Sequence, residues 1–289
     1  MIDKVTVPAG TTWQDLRTLL SGTLRNEAAL LQSPVGREVT TDSRRVEEGS
    51  VFVAYRGVYQ DGHQYLPQAV ESGAALCILE DDEGIPSGIP AIVVEDARFA
   101  ISKLSAFCSG YPTRQVKTFG ITGTNGKTTN LWLLSEALRL LRERVITLGT
   151  LGVLFEGETY SKGEATTPTA QEIHSSIAHA LRLGATACVM EVSSHALKQR
   201  RADDVCFDGA IFTNLTPDHL NYHPDEEDYF QAKKRLFELT LSNSPEAPLV
   251  CGRFDDYGRR LSDWAKEQSS RAYSFGMDSE CDFILQELA

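Results

Sequence analysis

The run Gly120-Ile121-Thr122-Gly123-Thr124-Asn125-Gly126-Lys127-Thr128-Thr129 joins glycines, hydroxyls and a lysine between an apolar stretch and a helical one. Glycines let backbone N–H groups turn toward an anion without a Cβ in the way. A helix that begins here would add the positive end of its dipole. Lys127 could neutralise terminal phosphates, and the Thr128 hydroxyl could bind Mg²⁺. The run therefore predicts a phosphate loop for a nucleotide.

The glycine spacing departs from the strict phosphate-loop pattern. Ile121 stands where that pattern requires glycine, and the glycines fall at positions 120, 123 and 126. A chance glycine-rich turn is the alternative interpretation. The Gly-Lys-Thr triplet between a strand pattern and a helix pattern favours nucleotide binding. The predicted nucleotide-binding residues are Gly123, Thr124, Asn125, Gly126, Lys127, Thr128 and Thr129.

Acidic and histidine side chains follow two later apolar runs. Glu191 closes the run from Ala187, and Asp218-His219 lie in the loop after the run 207–213. The carboxyl ends of parallel strands lie on the ligand side of a sheet, so Glu191 could hold Mg²⁺. A histidine beside an aspartate can be a metal ligand with an oriented ring. A solvated acid and an ordinary hydrogen-bonded loop are the alternatives, and these residues alone do not decide.

A helical stretch further on carries adjacent lysines. Phe230, Lys233 or Lys234, and Phe237 would lie on neighbouring turns. One of the two lysines could face a phosphate site as a cation. The alternative is an ordinary basic face in contact with solvent.

Composition bounds the class of protein. The 289 residues are 42% hydrophobic and 24% charged, which is typical of globular domains. A formal net charge of -12 disfavours nonspecific binding to nucleic acid or to an anionic membrane. The six cysteines have no metal-ligand spacing, and we interpret them as free thiols in a reducing compartment. The N-terminus lacks a signal-peptide pattern, so we expect a cytoplasmic protein.

The pattern of elements changes near Gly110-Tyr111-Pro112, where we place a domain boundary between 1–111 and 112–289. From Gln115 onward, strands and helices alternate, which predicts an α/β fold with a mostly parallel sheet covered on both faces. One helix should open at Thr167-Pro168. The last residues, 281–289, read as a strand without cover, which proteins usually avoid at a sheet edge.

Taken in order, these motifs resemble those of the Mur ligase family. The matching runs are 122–129, Thr-Thr-Pro at 166–168, Glu-Val-Ser-Ser-His at 191–195, Thr-Asn-Leu-Thr-Pro-Asp-His-Leu at 213–220 and Tyr-Phe-Gln-Ala-Lys at 229–233. The stretch from Thr41-Asp42-Ser43-Arg44 to Asp61-Gly62 is similar to the MurE type in particular. The resemblance implies a small N-terminal α/β domain for a UDP-linked substrate, then a P-loop-type central ATPase domain.

The implied activity is an ATP-dependent ligation in peptidoglycan synthesis. The substrate of MurE-type ligases is UDP-N-acetylmuramoyl-L-alanyl-D-glutamate, to which they add diaminopimelate or lysine through an acyl phosphate. By position, Lys127 and Thr128 would hold ATP and Mg²⁺, with Glu191 completing the first metal site. His219 would bind a second Mg²⁺. Lys233 matches a lysine carbamylated by CO₂, which turns a cation into an anionic oxygen ligand.

Further residues match substrate-binding positions of the family. Ser43 and Arg44 match the uridine-nucleotide region of the first domain. The positions that hold the muramoyl dipeptide correspond to Thr166, Thr167, Ser193 and Arg201. An arginine suits a carboxylate or phosphate because its guanidinium is bidentate.

The sequence also departs from the family at several positions. Asn221 stands where aspartate is expected, and Val58 replaces a residue that is usually histidine. The family's Asn-x-Asp-Asp appears as Arg253-Phe254-Asp255-Asp256, so an asparagine expected near adenine is missing. Lys234 beside Lys233 leaves open which lysine faces the metal.

The family also has a third, C-terminal domain, which has no counterpart here. We therefore expect a fragment unable to complete ligation alone, with a separate chain as a possible source of the missing part. Two other interpretations remain. A folate polyglutamate-type ligase shares the central domain, although the Asp-Ser-Arg segment argues against it. A non-catalytic nucleotide-binding remnant is the other.

Overall fold

The computed structural model describes residues 4–26, 38–57, 60–85, 88–163, 165–219 and 221–286. The chain forms two compact units, Asp3–Tyr111 and Pro112–Ala289. Val58, Leu220 and residues 287–289, which entered the sequence analysis, lie outside the described residues. Within those residues, no helix is both long and apolar enough to span a bilayer.

The first unit is a five-stranded sheet with helices against it. Its strand order is β1-β5-β4-β3-β2, and all neighbours are parallel except β1 with β5. Alternate residues of the strands point to opposite faces, so Val51 and Val53 join one apolar core while Phe52 joins another. The strands are β1 Thr23–Arg25, β2 Val39–Thr40, β3 Val51–Val53, β4 Leu76–Leu79 and β5 Ala91–Val93, and the helices are α1 Trp13–Leu20, α2 Leu66–Glu71 and α3 Ala97–Cys108.

The second unit contains a nine-stranded sheet in the order β14-β13-β12-β11-β6-β10-β7-β8-β9. The strands from β14 to β7 are parallel, and β8 and β9 add an antiparallel hairpin. In chain order its elements are β6 Lys117–Thr122, α4 Lys127–Leu140, β7 Val145–Gly149, β8 Gly152–Phe155, β9 Glu158–Ser161, α5 Ala170–Arg182, β10 Ala187–Glu191, α6 Ser194–Lys198, β11 Gly209–Phe212, α7 Glu226–Asn243, β12 Leu249–Gly252, α8 Asp256–Gln268, β13 Ala272–Gly276 and β14 Phe283–Ile284. The prediction of an α/β fold with a mostly parallel sheet is confirmed.

Burial on both faces explains the continuous apolar strands. Along β10, Ala187 and Val189 pack on one side of the sheet, while Cys188 and Met190 pack in the larger core on the other. This arrangement is typical of parallel sheets covered by helices. The six cysteines are free, and burial raises the pKa of the Cys77 thiol to about 12.

The order in which the chain adds strands to the sheet reverses at β6, and this positions the site. The connection after β6 leads through α4 toward β7, whereas the connection after β11 leads through α7 toward β12 on the opposite side. Neighbouring strands whose connections diverge leave a crevice at their carboxyl ends, where ligands of such sheets bind. The loops that begin after Thr122 and after Phe212 meet at this crevice.

Several element predictions were wrong. Helix α5 begins at Ala170, because Thr169 is its N-cap and forms a capping box with Glu172, so Pro168 precedes the helix. The β8–β9 hairpin and β13 were not predicted. The final strand covers only Phe283–Ile284 among the described residues, because Asp282 is held by Ser274 and the chain turns before it.

Among the buried side chains of the second unit, His174 stands out because neither ring nitrogen has a hydrogen-bond partner. Burial lowers the pKa of His174 to about 3. The folded state therefore favours the neutral ring. This preference contributes to the unfolding free energy above pH 6.5, and the contribution is lost as the pH falls below 6.5.

Replacing His174 should make the unfolding free energy less sensitive to acid. Between pH 7 and pH 5 the wild-type chain should lose about 2 kcal/mol more unfolding free energy than His174→Leu, since protonation favours the unfolded chain. Urea titrations at the two pH values measure the difference. His179→Leu, on the same helix but partly exposed, should keep the wild-type sensitivity; equal losses in wild type and His174→Leu would contradict this.

Candidate functional site

The predicted phosphate loop lies between β6 and α4, as the sequence indicated. Helix α4 begins at Lys127, with Gly126 as its N-cap at φ 82° and no side-chain cap. The first backbone N–H groups of the helix are thus without a side-chain cap, as an anion-binding turn requires. Asn125, Gly126 and Thr129 are exposed, while Thr124 and Thr128 are half-buried.

Gly123 is required by the space around it. Its φ is +145°, and a Cβ at this position would overlap the Thr213 hydroxyl oxygen. Thr213 in turn donates to the carbonyl oxygens of Thr122, at 3.3 Å, and Asn125, at 2.6 Å. The backbone of the loop therefore lies directly against the end of β11, which only a residue without a side chain permits.

The carbonyl of Gly123 accepts from two lysines. Lys127 Nζ donates to the Gly123 oxygen and to the Thr124 oxygen, both at 2.9 Å. Lys233 Nζ reaches the same Gly123 oxygen from α7 at 2.8 Å. Burial lowers the pKa of Lys127, and the charges of Glu191 and Asp218 oppose that shift. The side-chain amines of two lysines thus converge on one backbone oxygen of the phosphate loop.

The ambiguity between the two adjacent lysines is resolved by burial. Lys233 is 1% exposed and lies over the Tyr229 ring at 4.3 Å. Lys234 points the other way, pairing with Glu238 and lying over Trp264. Burial, and then the nearby charge of Lys127, lowers the pKa of Lys233 well below its usual value. This lowering favours the neutral amine of Lys233, the form that reacts with electrophiles.

The loop after β11 supports the phosphate loop through hydrogen bonds. Asn125 N donates to the Asn214 side-chain oxygen at 3.0 Å. Thr124 exchanges bonds with Thr216, donating to its carbonyl at 3.2 Å and accepting from its N–H at 3.1 Å. The run that begins at Thr213 thus fixes the shape of the phosphate loop, a role the sequence did not indicate.

Glu191 lies beside the start of α4. Thr128 Oγ1 donates to Glu191 Oε1 at 3.0 Å, and Thr150 donates to both carboxylate oxygens, from its N–H at 3.0 Å and its hydroxyl at 3.1 Å. Glu191 is 1% exposed. The adjacent carboxylate and hydroxyl oxygens fit a hard dication such as Mg²⁺, whose remaining ligands are usually waters and phosphate oxygens.

His219 lies apart from this pair. It adopts φ +56° in the loop after β11 and is about half exposed. Its neighbours are Asp218 and the ring of His195, whose centroid is 4.8 Å away. In the part of the chain that the structure describes, no three histidine, cysteine or acidic side chains form a metal-binding group. The geometry thus supports a metal site at the side-chain oxygens of Thr128 and Glu191, and it does not place His219 beside them.

A buried network lies behind His219. His223 is fully buried and contacts Asp228 through Nδ1 at 2.6 Å and Ser194 through Nε2 at 3.0 Å. Partial burial, together with the neighbouring His219 and His223, lowers the pKa of His195 to about 4. The network links the start of α6 to α7, the helix that carries Lys233.

The predicted dipeptide-binding residues lie together at the end of β10. Thr167 Oγ1 donates to the Glu191 carbonyl at 3.0 Å and accepts from Ser193 N at 2.9 Å. Arg201 donates to the Thr167 carbonyl at 2.9 Å. Thr166 is 3.5 Å from the Thr150 hydroxyl. Arg201 also lines a cleft of about 240 Å³ together with Lys162, Thr169 and Glu172.

In the first unit, the two predicted substrate-binding residues already have partners within the protein. Ser43 is buried and donates to Gln68 at 2.9 Å. Arg44 is exposed, and its guanidinium makes a bidentate contact with Asp42, which lowers the pKa of that carboxyl. A substrate anion at Arg44 would therefore compete with Asp42.

Three residues of the second unit were not among the predicted site residues, although Thr213 begins one of the family-like runs. Thr150 contacts the Glu191 carboxylate, Thr213 packs on Gly123, and Gln199 accepts two bonds from Arg201, at 3.0 and 2.5 Å. Thr150 and Thr213 directly follow β7 and β11, whose carboxyl ends lie on the ligand side of the sheet, and this position was the available signal. Nothing in the sequence pattern singles out Gln199.

Two family models match the sequence of this chain. Residues 121–288 match the model of the Mur ligase middle domain, and residues 37–107 match that of the Mur ligase family catalytic domain. The chain belongs to the Mur ligase family. The match to the middle domain covers more than half of the chain and includes the phosphate loop, Glu191 and Lys233, so the resemblance seen in the sequence is confirmed.

Relatives of Mur ligase type are similar over most of this chain. It is 44% identical over 227 residues to the UDP-N-acetylmuramoyl-L-alanyl-D-glutamate--2,6-diaminopimelate ligase of Geobacter sulfurreducens, covering 78% of this chain and 44% of that protein. It is 35% identical over 252 residues to the corresponding L-lysine ligase of Staphylococcus aureus, covering 87% and 50%. The chain therefore spans about half the length of these curated relatives.

Solved structures share the fold. A structure of a UDP-N-acetylmuramoyl-L-alanyl-D-glutamate--2,6-diaminopimelate ligase superposes with a TM-score of 0.73 at 23% identity, covering 99% of this chain and 55% of that one. A MurF ligase from Thermotoga maritima in complex with ADP gives a TM-score of 0.55 at 21% identity, covering 86% and 52%. Both agree with a Mur ligase fold over about half of each neighbour.

The burial of Lys233 has a measurable consequence. The pKa of Lys233 in the folded chain lies below its ordinary value of 10.5. Folding therefore releases a proton when the pH lies between these two pKa values. In carbonate-free buffer, wild type should therefore gain unfolding free energy relative to Lys233→Met as the pH rises from 7 toward 10.5. Urea titrations measure it, and Lys234→Met should keep the wild-type trend. Parallel pH profiles for wild type and Lys233→Met would refute a buried neutral amine.

Proposed function

We propose that this chain carries the nucleotide and acyl-activation site of an ATP-dependent ligase of peptidoglycan precursor synthesis. The observation that carries the proposal is the convergence of Lys127 and Lys233 on the Gly123 carbonyl, directly under the phosphate loop. Lys127, the phosphate loop and the oxygen pair of Thr128 and Glu191 would supply the positioning and charge stabilisation that transfer of a terminal phosphoryl group requires.

In the proposed reaction, a substrate carboxylate attacks the γ-phosphate of ATP. An acyl phosphate and ADP form, the incoming amine attacks the acyl carbon, and inorganic phosphate leaves. Lys127 would hold the β- and γ-phosphates, and the N–H groups at the start of α4, which have no side-chain cap, would donate to the phosphate oxygens. Thr128 and Glu191 would hold Mg²⁺, which when bound offsets the charge that accumulates as phosphate meets carboxylate.

Lys233 has a separate proposed role as a carbamate. Its neutral amine would attack CO₂ and release one proton, giving a carbamate anion. The lowered pKa supports this chemistry, because only an unprotonated amine has a free electron pair. The carbamate would present oxygen ligands, and with His219 it would form the second metal site that the family resemblance implies. His219 would have to approach from its present position for that site to assemble.

The acceptor substrate is proposed to be UDP-N-acetylmuramoyl-L-alanyl-D-glutamate, with diaminopimelate or lysine as the amine. The substrates named for the Geobacter and Staphylococcus relatives support both amines equally. Thr166, Thr167, Ser193 and Arg201 would bind the dipeptide portion beside the Arg201 cleft. The first unit, with Ser43 and Arg44, would hold the uridine nucleotide.

The match of residues 37–107 to a Mur ligase model supports this substrate class over a folate-type ligase. Since the relatives are about twice as long, we propose that turnover needs polypeptide equivalent to their remaining half, in the same chain or in a separate one. Binding of nucleotide and of the UDP-linked acceptor should nevertheless be retained, and the experiment scores binding separately from turnover.

The decisive assay is phosphate release from Mg-ATP by the purified chain with the UDP-linked dipeptide, testing diaminopimelate and lysine in turn. Calorimetric binding of ADP and of the UDP-linked dipeptide is measured in parallel. We expect both ligands to bind, and any phosphate release to require the dipeptide and to disappear in Lys233→Ala but not in the matched Lys234→Ala. Absence of ADP binding would contradict the proposal, and so would phosphate release that depends on neither the dipeptide nor Lys233.

A further inference from the structure

Helix α7 contacts the phosphate loop through a second side chain, Tyr229, which lies one helical turn before Lys233. Tyr229 is 1% exposed, and its hydroxyl oxygen is 3.2 Å from the hydroxyl oxygen of Thr124. A buried tyrosine usually has a hydrogen-bond partner for its O–H, so this contact alone carries no message. The surroundings of the contact give it more weight.

One turn of α7 holds two consecutive residues of the phosphate loop. Lys233 Nζ donates to the Gly123 carbonyl at 2.8 Å, and Tyr229 reaches the side chain of the next residue, Thr124. Residues four apart on a helix lie on the same face, so the two side chains approach the loop together. The Lys233 amine lies 4.3 Å from the centre of the Tyr229 ring. The loop thus has two adjacent attachments to this helix.

The direction of the hydrogen bond between Tyr229 and Thr124 follows from the other partners of Thr124. A hydroxyl group has one hydrogen to donate and can accept two hydrogen bonds. The Thr124 hydroxyl donates to the Thr216 carbonyl at 3.2 Å and accepts from the Thr216 N–H at 3.1 Å. Because its only hydrogen is used in this way, Tyr229 is the donor to Thr124.

Every polar group of Thr124 has a partner within the protein. Its backbone N–H donates to the Asn214 carbonyl at 2.9 Å, and its own carbonyl accepts from Lys127 Nζ at 2.9 Å. Its hydroxyl is engaged by Thr216 and Tyr229. In this arrangement Thr124 contributes to the site by setting the course of the chain toward Gly126, where α4 begins without a side-chain cap.

Neighbouring rings restrict the Tyr229 ring. The ring of His223 lies 5.0 Å from it, and that of His219 meets it edge to face at 6.1 Å and 74°. His223 is itself held by Asp228 at 2.6 Å and by Ser194 at 3.0 Å. Close packing of this kind limits the movement of a buried side chain. The hydroxyl of Tyr229 is therefore held at Thr124.

We propose that Tyr229 is a positioning residue for the phosphate loop and acts through Thr124. The proposal rests on the nucleotide site proposed above. By donating to Thr124, the Tyr229 hydroxyl holds the loop in the shape that directs the first N–H groups of α4 toward phosphate. Because the effect is exerted on the loop, it extends to every ligand whose phosphates bind there, whether or not that ligand has a base.

The first test removes the hydroxyl and keeps the ring. Binding of ADP and of inorganic tripolyphosphate, both with Mg²⁺, is measured by calorimetry for wild type, Tyr229→Phe and Tyr257→Phe. Tyr257, on α8, has its hydroxyl 3.4 Å from Glu226 and serves as the matched control. Tyr229→Phe should weaken both ligands roughly fivefold, the scale of one hydrogen bond. Tyr257→Phe should bind both ligands as wild type does.

A second set of variants tests whether Tyr229 acts through Thr124. Thr124→Ser keeps the hydroxyl that accepts from Tyr229, whereas Thr124→Val removes it. When Tyr229→Phe is added to Thr124→Ser, both ligands should again bind roughly fivefold more weakly. When it is added to Thr124→Val, affinity should change by less than about twofold, because the partner of the phenol is already absent. A general contribution of Tyr229 to the fold would appear equally in both backgrounds.

Each other outcome overturns the proposal in a recognisable way. Undiminished binding of both ligands by Tyr229→Phe removes the positioning role and leaves the nucleotide site intact. A loss confined to ADP contradicts an effect on the loop, and equal losses in the two Thr124 backgrounds contradict action through Thr124. If folded wild type binds neither ligand, the nucleotide site itself is refuted, which distinguishes failure of the proposed function from failure of this inference.

Discussion

The structure of the site depends on one backbone carbonyl. The oxygen of Gly123 accepts from Lys127, at the start of α4, and from Lys233, in the middle of α7. A buried ammonium group is costly without partners, and two beside each other repel. Burial therefore lowers the pKa of both lysines, and the nearby charge of Lys127 lowers the pKa of Lys233 further. In this way the fold places two lysine amines with lowered pKa values at the loop where phosphate is expected.

The sheet order makes that convergence possible. Because the connections after β6 and β11 diverge, the two loops that follow these strands share one crevice, and Thr213 can pack against Gly123. Helix α7 packs against β6 and β11 and carries Lys233, whose amine reaches the Gly123 carbonyl. On the neighbouring strand, Glu191 is held by Thr128 and Thr150, so the acidic and basic sides of the site are fixed separately. The function proposed above would use both sets of residues in one reaction.

Much of this arrangement was predictable from local patterns. The strand, glycine loop and helix around Lys127 form one contiguous signal, and its placement was right. The choice of Lys233 over Lys234 was also available, since Tyr229, Phe230, Leu236 and Phe237 form an apolar stripe that includes position 233. The β8–β9 hairpin was missed although Glu156-Gly157 is a two-residue turn with both φ values positive. Contacts such as Gln199 with Arg201 depend on tertiary packing and have no sequence period to reveal them.

The central claim is that Gly123 forms the anion-holding backbone on which both lysines depend. The most direct measurement is calorimetric binding of Mg-ADP to Gly123→Ala, with Gly157→Ala as control. Both glycines have positive φ, but a Cβ at Gly157 meets nothing within 4 Å, whereas one at Gly123 overlaps Thr213. We predict that Gly157→Ala binds as wild type and that Gly123→Ala, while keeping its circular dichroism spectrum, loses ADP binding. Wild-type affinity in a folded Gly123→Ala chain would contradict the account.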